Sequence, residues 1–202
     1  MSRNRWTELI EKNPEHSSWY VERFRTMAAN GDDLAGEARC IDAMVGRGAR
    51  VLDAGCGPGR VGGYLHAAGH EVVGVDLDPV LIEAAQLDHP GPTWMVADLS
   101  ELDLPGAGIS EGFDVAVCAG NVMTFLDPAT RVVVLQRLRA HLRPEGRVVV
   151  GFGANRGYEF AEFFDHARAG GLAIDATFAS WDLRPFTPEA GWLVAVLSAT
   201  LT

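Results

Sequence analysis

The chain has 202 residues, of which 48% are hydrophobic and 22% charged. That size fits one domain with a buried core and excludes general disorder, and no apolar run approaches the roughly 18 residues of a membrane-spanning helix. Seventeen basic residues stand against 27 acidic ones, a net charge of −10 with no basic block, which argues against a nucleic-acid backbone as partner.

Lys12 is the only lysine; with the abundant Ala and Gly, this is the codon signature of a high-GC bacterial genome. Cys40, Cys56 and Cys118 form no C-x-x-C pair, and the opening MSRNRWTELIEKNPEH lacks an apolar signal core, so a cytoplasmic protein is expected.

The first elements are helical. Residues 15–29 carry Trp19, Tyr20, Phe24 and Met27 at near-helical spacing, and Gly31 ends them. Asp33 is placed to cap a second helix with Leu34, Ala38, Ile41 and Val45 on one face. The expected organisation is a single domain, with a helical cap over residues 1–45 and an α/β core over 46–202. Strands are expected at 50–53, 71–75, 93–96, 113–118 and 147–151. Between them fall helices at 60–68, with Val61, Tyr64, Leu65 and Ala68 inward, and after Asp78-Pro79 and Asp127-Pro128. In each Asp-Pro pair the Asp is the N-cap and the Pro the first helical residue. Continuously apolar strands are buried on both faces, which means a parallel sheet covered by helices on each side. After a helix at 158–169, the runs 172–183 and 192–201 are joined only by RPFTPEAG, so they form an antiparallel hairpin at one sheet edge.

The chemistry sits in VLDAGCGPGR, residues 51–60. A buried strand ends at Asp53, and Gly55, Gly57 and Gly59 follow at alternate positions before a helix opens. Glycine there permits positive φ and close approach of a ligand to the backbone, and the helix start offers free N–H groups. Two further strands end in Asp76 and Asp98, so three consecutive strands each bring a carboxylate to the edge where open α/β sheets bind ligands.

This pattern resembles the class I S-adenosylmethionine-dependent methyltransferase family over about residues 45–155. The resemblance implies a Rossmann-like, doubly wound, seven-stranded sheet, mostly parallel, with an antiparallel C-terminal hairpin strand and an N-terminal helical cap. It implies S-adenosylmethionine as cofactor, with Asp53, Ala54, Gly55, Cys56, Gly57 and Gly59 forming the loop. Asp76, beside Leu77, would hold the ribose hydroxyls. Asp98, flanked by Ala97 and Leu99, would contact the adenine amino group, and Ala119, Gly120 and Asn121 would line the methionine end. No Asn/Asp-Pro-Pro-aromatic motif follows the fourth strand, so a small-molecule acceptor is expected rather than a nucleic-acid base.

Two alternatives share these residues. Gly57-x-Gly59-x-x-Gly62 with Asp76 also fits an NAD(P)-binding oxidoreductase, although a carboxylate at Asp53 would repel a pyrophosphate. A catalytically silent S-adenosylmethionine-binding protein would keep the same set. No catalytic base stands out: His16 and Tyr20 are weak candidates from a lid formed by residues 15–29, and Arg184 is a weak candidate for a substrate carboxylate. His66, His70, His89, His141 and His166 are expected to face solvent, and no cluster has metal-ligand spacing.

Overall fold

The computed structural model describes residues 3–200. Three helices open the chain: α1 (Arg5–Lys12), α2 (His16–Ala29) and α3 (Gly36–Met44). The core then alternates through β1 (Arg50–Ala54), α4 (Arg60–Ala67), β2 (Glu71–Asp76), α5 (Pro79–Asp88), β3 (Thr93–Val96) and β4 (Phe113–Cys118). It continues with the short α6 (Val122–Phe125), α7 (Arg131–Ala140), β5 (Leu142–Gly153), α8 (Phe160–Ala169), β6 (Leu172–Phe178) and β7 (Trp192–Ala199). The sheet runs β3-β2-β1-β4-β5-β7-β6. Its first five strands are parallel, and β7 lies antiparallel between β5 and β6. Among the described residues no helix is long and apolar enough to cross a membrane.

The period-two alternation of strands separates two cores. On one face Leu52, Ala54, Val73, Val75, Val148 and Val150 pack with Leu135, Leu138 and Phe163 of α7 and α8. On the other, Val51, Val72, Val115, Val117 and Val149 meet Ala38 and Ile41 of α3 and Val61 and Leu65 of α4. Asp53 shares the face of Val51, so it points toward α4.

Several elements depart from expectation. Helix α1 was not anticipated; the Asn4 side chain starts it by accepting from the Trp6 amide at 2.9 Å. Asp33 closes the turn ahead of α3 through Ala35 N at 3.1 Å and does not cap the helix itself. Pro128 opens a single 3-10 turn, and α7 begins only at Arg131. Strand β6 stops at Phe178 rather than 183, because Ala179 N turns back onto Arg184 O at 2.8 Å and Leu183 adopts φ +64°. Tyr64 lies on the outer side of α4, exposed, while Val61, Gly62 and Leu65 face inward. His70 and His141 are buried, not solvent-facing. His70 Nε2 bonds Asp42 at 2.9 Å, and His141 links Leu104 N to Arg137 O.

Trp94 on β3 wedges the glycine-rich region into place. Its indole donates to His89 O at 2.9 Å and packs with Cys56, Ile82 and Ala85. A Cβ on Gly74, its neighbour on β2, would stand 2.1 Å from the ring, and one on Gly62 would stand 2.8 Å away. Gly74→Ala is therefore expected to destabilise the fold by about 1–3 kcal/mol through overpacking, measured by urea unfolding. Parental stability would mean that Trp94 can swing aside.

Candidate cofactor cleft

The glycine loop is held by the strands beside it. Gly55 N and Cys56 N both donate to Val75 O, at 2.8 and 2.9 Å. Gly55, Gly57 and Gly59 all take positive φ, and Gly59, at +83°, is the N-cap of α4. A glycine cap has no side-chain acceptor, so the third amide of α4 needs one from elsewhere. Asp53 provides it: Oδ2 accepts from Gly62 N at 2.8 Å. This bond also weighs against the dinucleotide reading, because a carboxylate already occupies the helix start where a pyrophosphate would bind.

Asp76 braces the other side of the loop. Its Oδ2 accepts from Gly57 N at 2.9 Å and its Oδ1 from Asp78 N at 3.0 Å. Asp53 is 2% exposed and Asp76 9%, and among the described residues neither has an ion-pair partner. The nearest cation in the cleft wall, Arg60, is engaged bidentately by Glu37 at 2.7 Å on both oxygens. Burial pushes the Asp53 carboxyl up to about 7; Gly62 and Arg60 pull it back, while Asp76 and Glu37 add to the rise. Burial likewise raises Asp76 to about 6 against the bonds from Asp78 and Gly57. Each carboxylate retains acceptor capacity, since an ionised pair of oxygens offers about four lone-pair sites. Such a pair of desolvated carboxyls without a cation complements a ligand carrying hydroxyl donors and positive charge, which favours their ionised form.

A cleft opens between these residues and the N-terminal helices. Of the positions anticipated from sequence, Asp53, Gly55, Cys56, Gly57, Asp76, Leu77, Ala97, Asp98, Leu99, Ala119 and Gly120 line it. Asp98 is exposed and uses one oxygen to accept from Ser100 N and Oγ, both at 2.8 Å. Ala54 and Gly59 stand behind the lining. Asn121 turns away: in a left-handed conformation (φ 72°) its Oδ1 accepts from Gly153 N at 2.8 Å, tying the β4–α6 turn to β5. Asn121 is thus a support for Gly120 rather than a cleft residue. Cys56 and Cys118 are desolvated thiols pushed well up from their ordinary value, consistent with small core residues and not nucleophiles.

Aromatic side chains from α1, α2 and α6 roof the cleft. Trp6, Tyr20, Phe24 and Phe125 meet edge to face at 5.0–5.6 Å. Tyr20 stands over Gly57, its ring 3.8 Å from where a Cβ would be. Burial raises its phenol against the pull of Arg60 and Arg23. His16 does not reach the cleft; it stacks on Trp19 and tilts against Trp6. Arg184 is also outside it, exposed and held by Asp182 at 2.9 Å. Among the described residues no group of His, Cys, Asp or Glu could hold a metal ion. The sequence carries no signal for Asn4 and Trp6, which the packing of α1 brings into the lining, or for Leu81, Val122, Phe125 and Leu126; Pro58, Arg60 and Val61 join it from the glycine loop and the start of α4.

A family profile described as a methyltransferase domain matches residues 51–146. Among solved structures, the chain is 49% identical to a TehB-like S-adenosylmethionine-dependent methyltransferase of Corynebacterium glutamicum. That match has a TM-score of 0.87 and covers 93% of this chain and 100% of the other. The CcbJ methyltransferase of Streptomyces caelestis, 18% identical, shares the fold with a TM-score of 0.71 over 82% of this chain and 90% of that one. Among curated proteins, the malonyl-[acyl-carrier protein] O-methyltransferase of Pseudescherichia vulneris is 41% identical over 61 residues, 30% of this chain and only 24% of that enzyme. A ubiquinone biosynthesis O-methyltransferase of Psychrobacter cryohalolentis is 26% identical over 197 residues, 87% of this chain and 74% of that enzyme.

The raised carboxyls have a consequence for stability. Folded Asp53 and Asp76 keep protons that the unfolded chain, titrating near 3.8, has already lost. Their contribution is full below about pH 4 and is lost as the pH rises to about 7. Urea unfolding of the empty protein is expected to show that decline, and Asp53→Asn, which keeps an acceptor for Gly62, is expected to flatten it. A variant with the parental slope would show that Asp53 titrates as an ordinary carboxylate.

Proposed function

Because the chain belongs to the class I S-adenosylmethionine-dependent methyltransferases, we propose that it transfers a methyl group to a small-molecule acceptor. The observation that carries this reading is the pair of buried carboxylates, Asp53 and Asp76, with acceptor capacity left over and no cation of their own. When bound, S-adenosylmethionine supplies an electrophilic methyl group on a sulfonium sulfur. Asp76 would accept the ribose hydroxyls in charge-assisted hydrogen bonds, and Asp98 would take the adenine amino group. Gly55, Gly57 and Gly120 have no side chain and leave room for the rest of the cofactor, beside the small Ala119. Asp53 faces the same cleft and favours a cationic ligand there.

The protein's contribution to the reaction is alignment and exclusion of water. Trp6, Tyr20, Phe24 and Phe125 close the cleft with apolar surface. The net charge of −10, without a basic block, supports a small molecule over a nucleic acid, and the same composition with three unpaired cysteines supports a cytoplasmic setting.

Isothermal titration calorimetry tests the reading. S-adenosylmethionine and S-adenosylhomocysteine are expected to bind and NAD is not; tight NAD binding without a response to S-adenosylhomocysteine would overturn it. Asp76→Ala removes charged hydrogen bonds worth on the order of 1.5–3 kcal/mol each, partly replaced by water, so affinity is expected to fall roughly 10- to 100-fold. Release of S-adenosylhomocysteine in the presence of candidate acceptors separates an enzyme from a silent binder.

A further inference from the structure

Among the described residues, the buried polar contacts of the N-terminal helices with α5 converge on one residue, beside the apolar cluster of Trp6, Val21, Leu81 and Ala84. Asp78 caps α5 in the expected way, Oδ1 accepting from Val80 N at 2.9 Å. Its second oxygen has a different role. Oδ2 accepts from Trp6 Nε1 at 2.8 Å and from Ser17 Oγ, one donor from α1 and one from α2. Asp78 is 1% exposed and Ser17 2%. The other polar ties of α1 and α2 to the core are at or near the surface: Arg25 with Asp88, and Arg5 with the carbonyls of Arg156 and Thr124. Exposed pairs of that kind contribute little.

The same aspartate reaches the cleft through its backbone. Asp78 N donates to Oδ1 of Asp76, whose Oδ2 holds Gly57 N. Trp6 is at once the donor to Asp78 and a wall of the cleft, edge-on to Tyr20 and Phe125. One continuous set of contacts therefore joins α1 and α2, the start of α5, the carboxylate of Asp76 and the glycine loop.

We propose that Asp78 is a positioning residue whose buried carboxylate latches the N-terminal helices over the cleft and couples that closure to ligand binding at Asp76. The coupling to S-adenosylmethionine rests on the function proposed above; the latch itself does not. A ligand that fills the cleft against Trp6 holds the latch shut, and by linkage a shut latch raises affinity for the ligand by the same factor. Opening the helices would strand Oδ2 without either donor, while leaving the cap of α5 intact.

The test is Asp78→Asn. An amide has one acceptor oxygen, so it can serve the cap or the latch but not both. In the empty protein, hydrogen exchange over residues 5–29 is expected to quicken by about 10-fold or more while the central strands keep their parental protection. Ser17→Ala, which removes one of the two donors to Oδ2 and alters no residue of the cleft lining, is expected to act in the same direction and serves if Asp78→Asn does not fold. In calorimetry, S-adenosylhomocysteine affinity is expected to fall about 10-fold in Asp78→Asn and less in Ser17→Ala, and the double variant to fall no further than Asp78→Asn, because both act on the one oxygen. Parental exchange over residues 5–29 in both variants would overturn the latch. Quickened exchange in every element alike would show a purely structural cap and overturn it too. Additive affinity losses would overturn the coupling. If the parent protein does not bind S-adenosylhomocysteine, the proposed function fails, and exchange in the empty protein still decides the latch.

Discussion

Asp53, the penultimate residue of a fully buried strand, caps with its carboxylate a helix that begins seven residues later, across a turn built of glycines. Three constraints meet in that one bond. The turn needs positive φ at Gly59, which rules out a side-chain cap of the usual kind. The sheet alternation directs Asp53 to the α4 side, where the uncapped amide waits. The packing of Trp94 leaves no room for a Cβ at Gly62, whose amide is the donor. The loop shape that a nucleoside ligand would meet depends on this closure more than on any residue that would touch the ligand.

Holding Asp53 and Asp76 out of water without cations opposes folding, and the upward shift of both carboxyls is its visible sign. Backbone amides from Gly57, Gly62 and Asp78 offset part of that cost. The rest is left standing in the empty protein. A site arranged this way is preorganised for a cationic, hydroxyl-bearing ligand: its groups are oriented before the ligand arrives, and binding relieves an existing electrostatic imbalance.

The cap supplies what the sheet edge lacks. Parallel strands end in an open row of loops, and the acids there would otherwise lie in water. Helices α1 and α2 cover them with Trp6, Tyr20 and Phe24, while Arg60 stays at the margin, paired to Glu37 of α3. A segment that contributes no strand to the sheet thus sets the dielectric of the cleft.

Much of this was legible in the residues alone. The seven strands follow from apolar run length and the turns between them, since a run that is apolar at every position must be buried on both faces. The glycines at 55, 57 and 59 and the acids at 53, 76 and 98 announced a ligand edge, because strand ends in a parallel sheet all open on one side. What sequence could not decide was where each side chain turned once it arrived. Asn121 and Gly120 are adjacent and both left-handed, yet Gly120 lines the cleft while Asn121 braces β5, because the Asn121 side chain finds Gly153 N across the turn. His16 and Tyr20 lie a helical turn apart, yet His16 is drawn aside by Trp19 while Tyr20 covers Gly57. Asp78 reads as a helix cap in any sequence, and local geometry accounts for only one of its oxygens. The other finds Trp6 and Ser17, 72 and 61 residues away, because contacts between distant segments are set by how whole elements pack and leave no periodic trace in the chain.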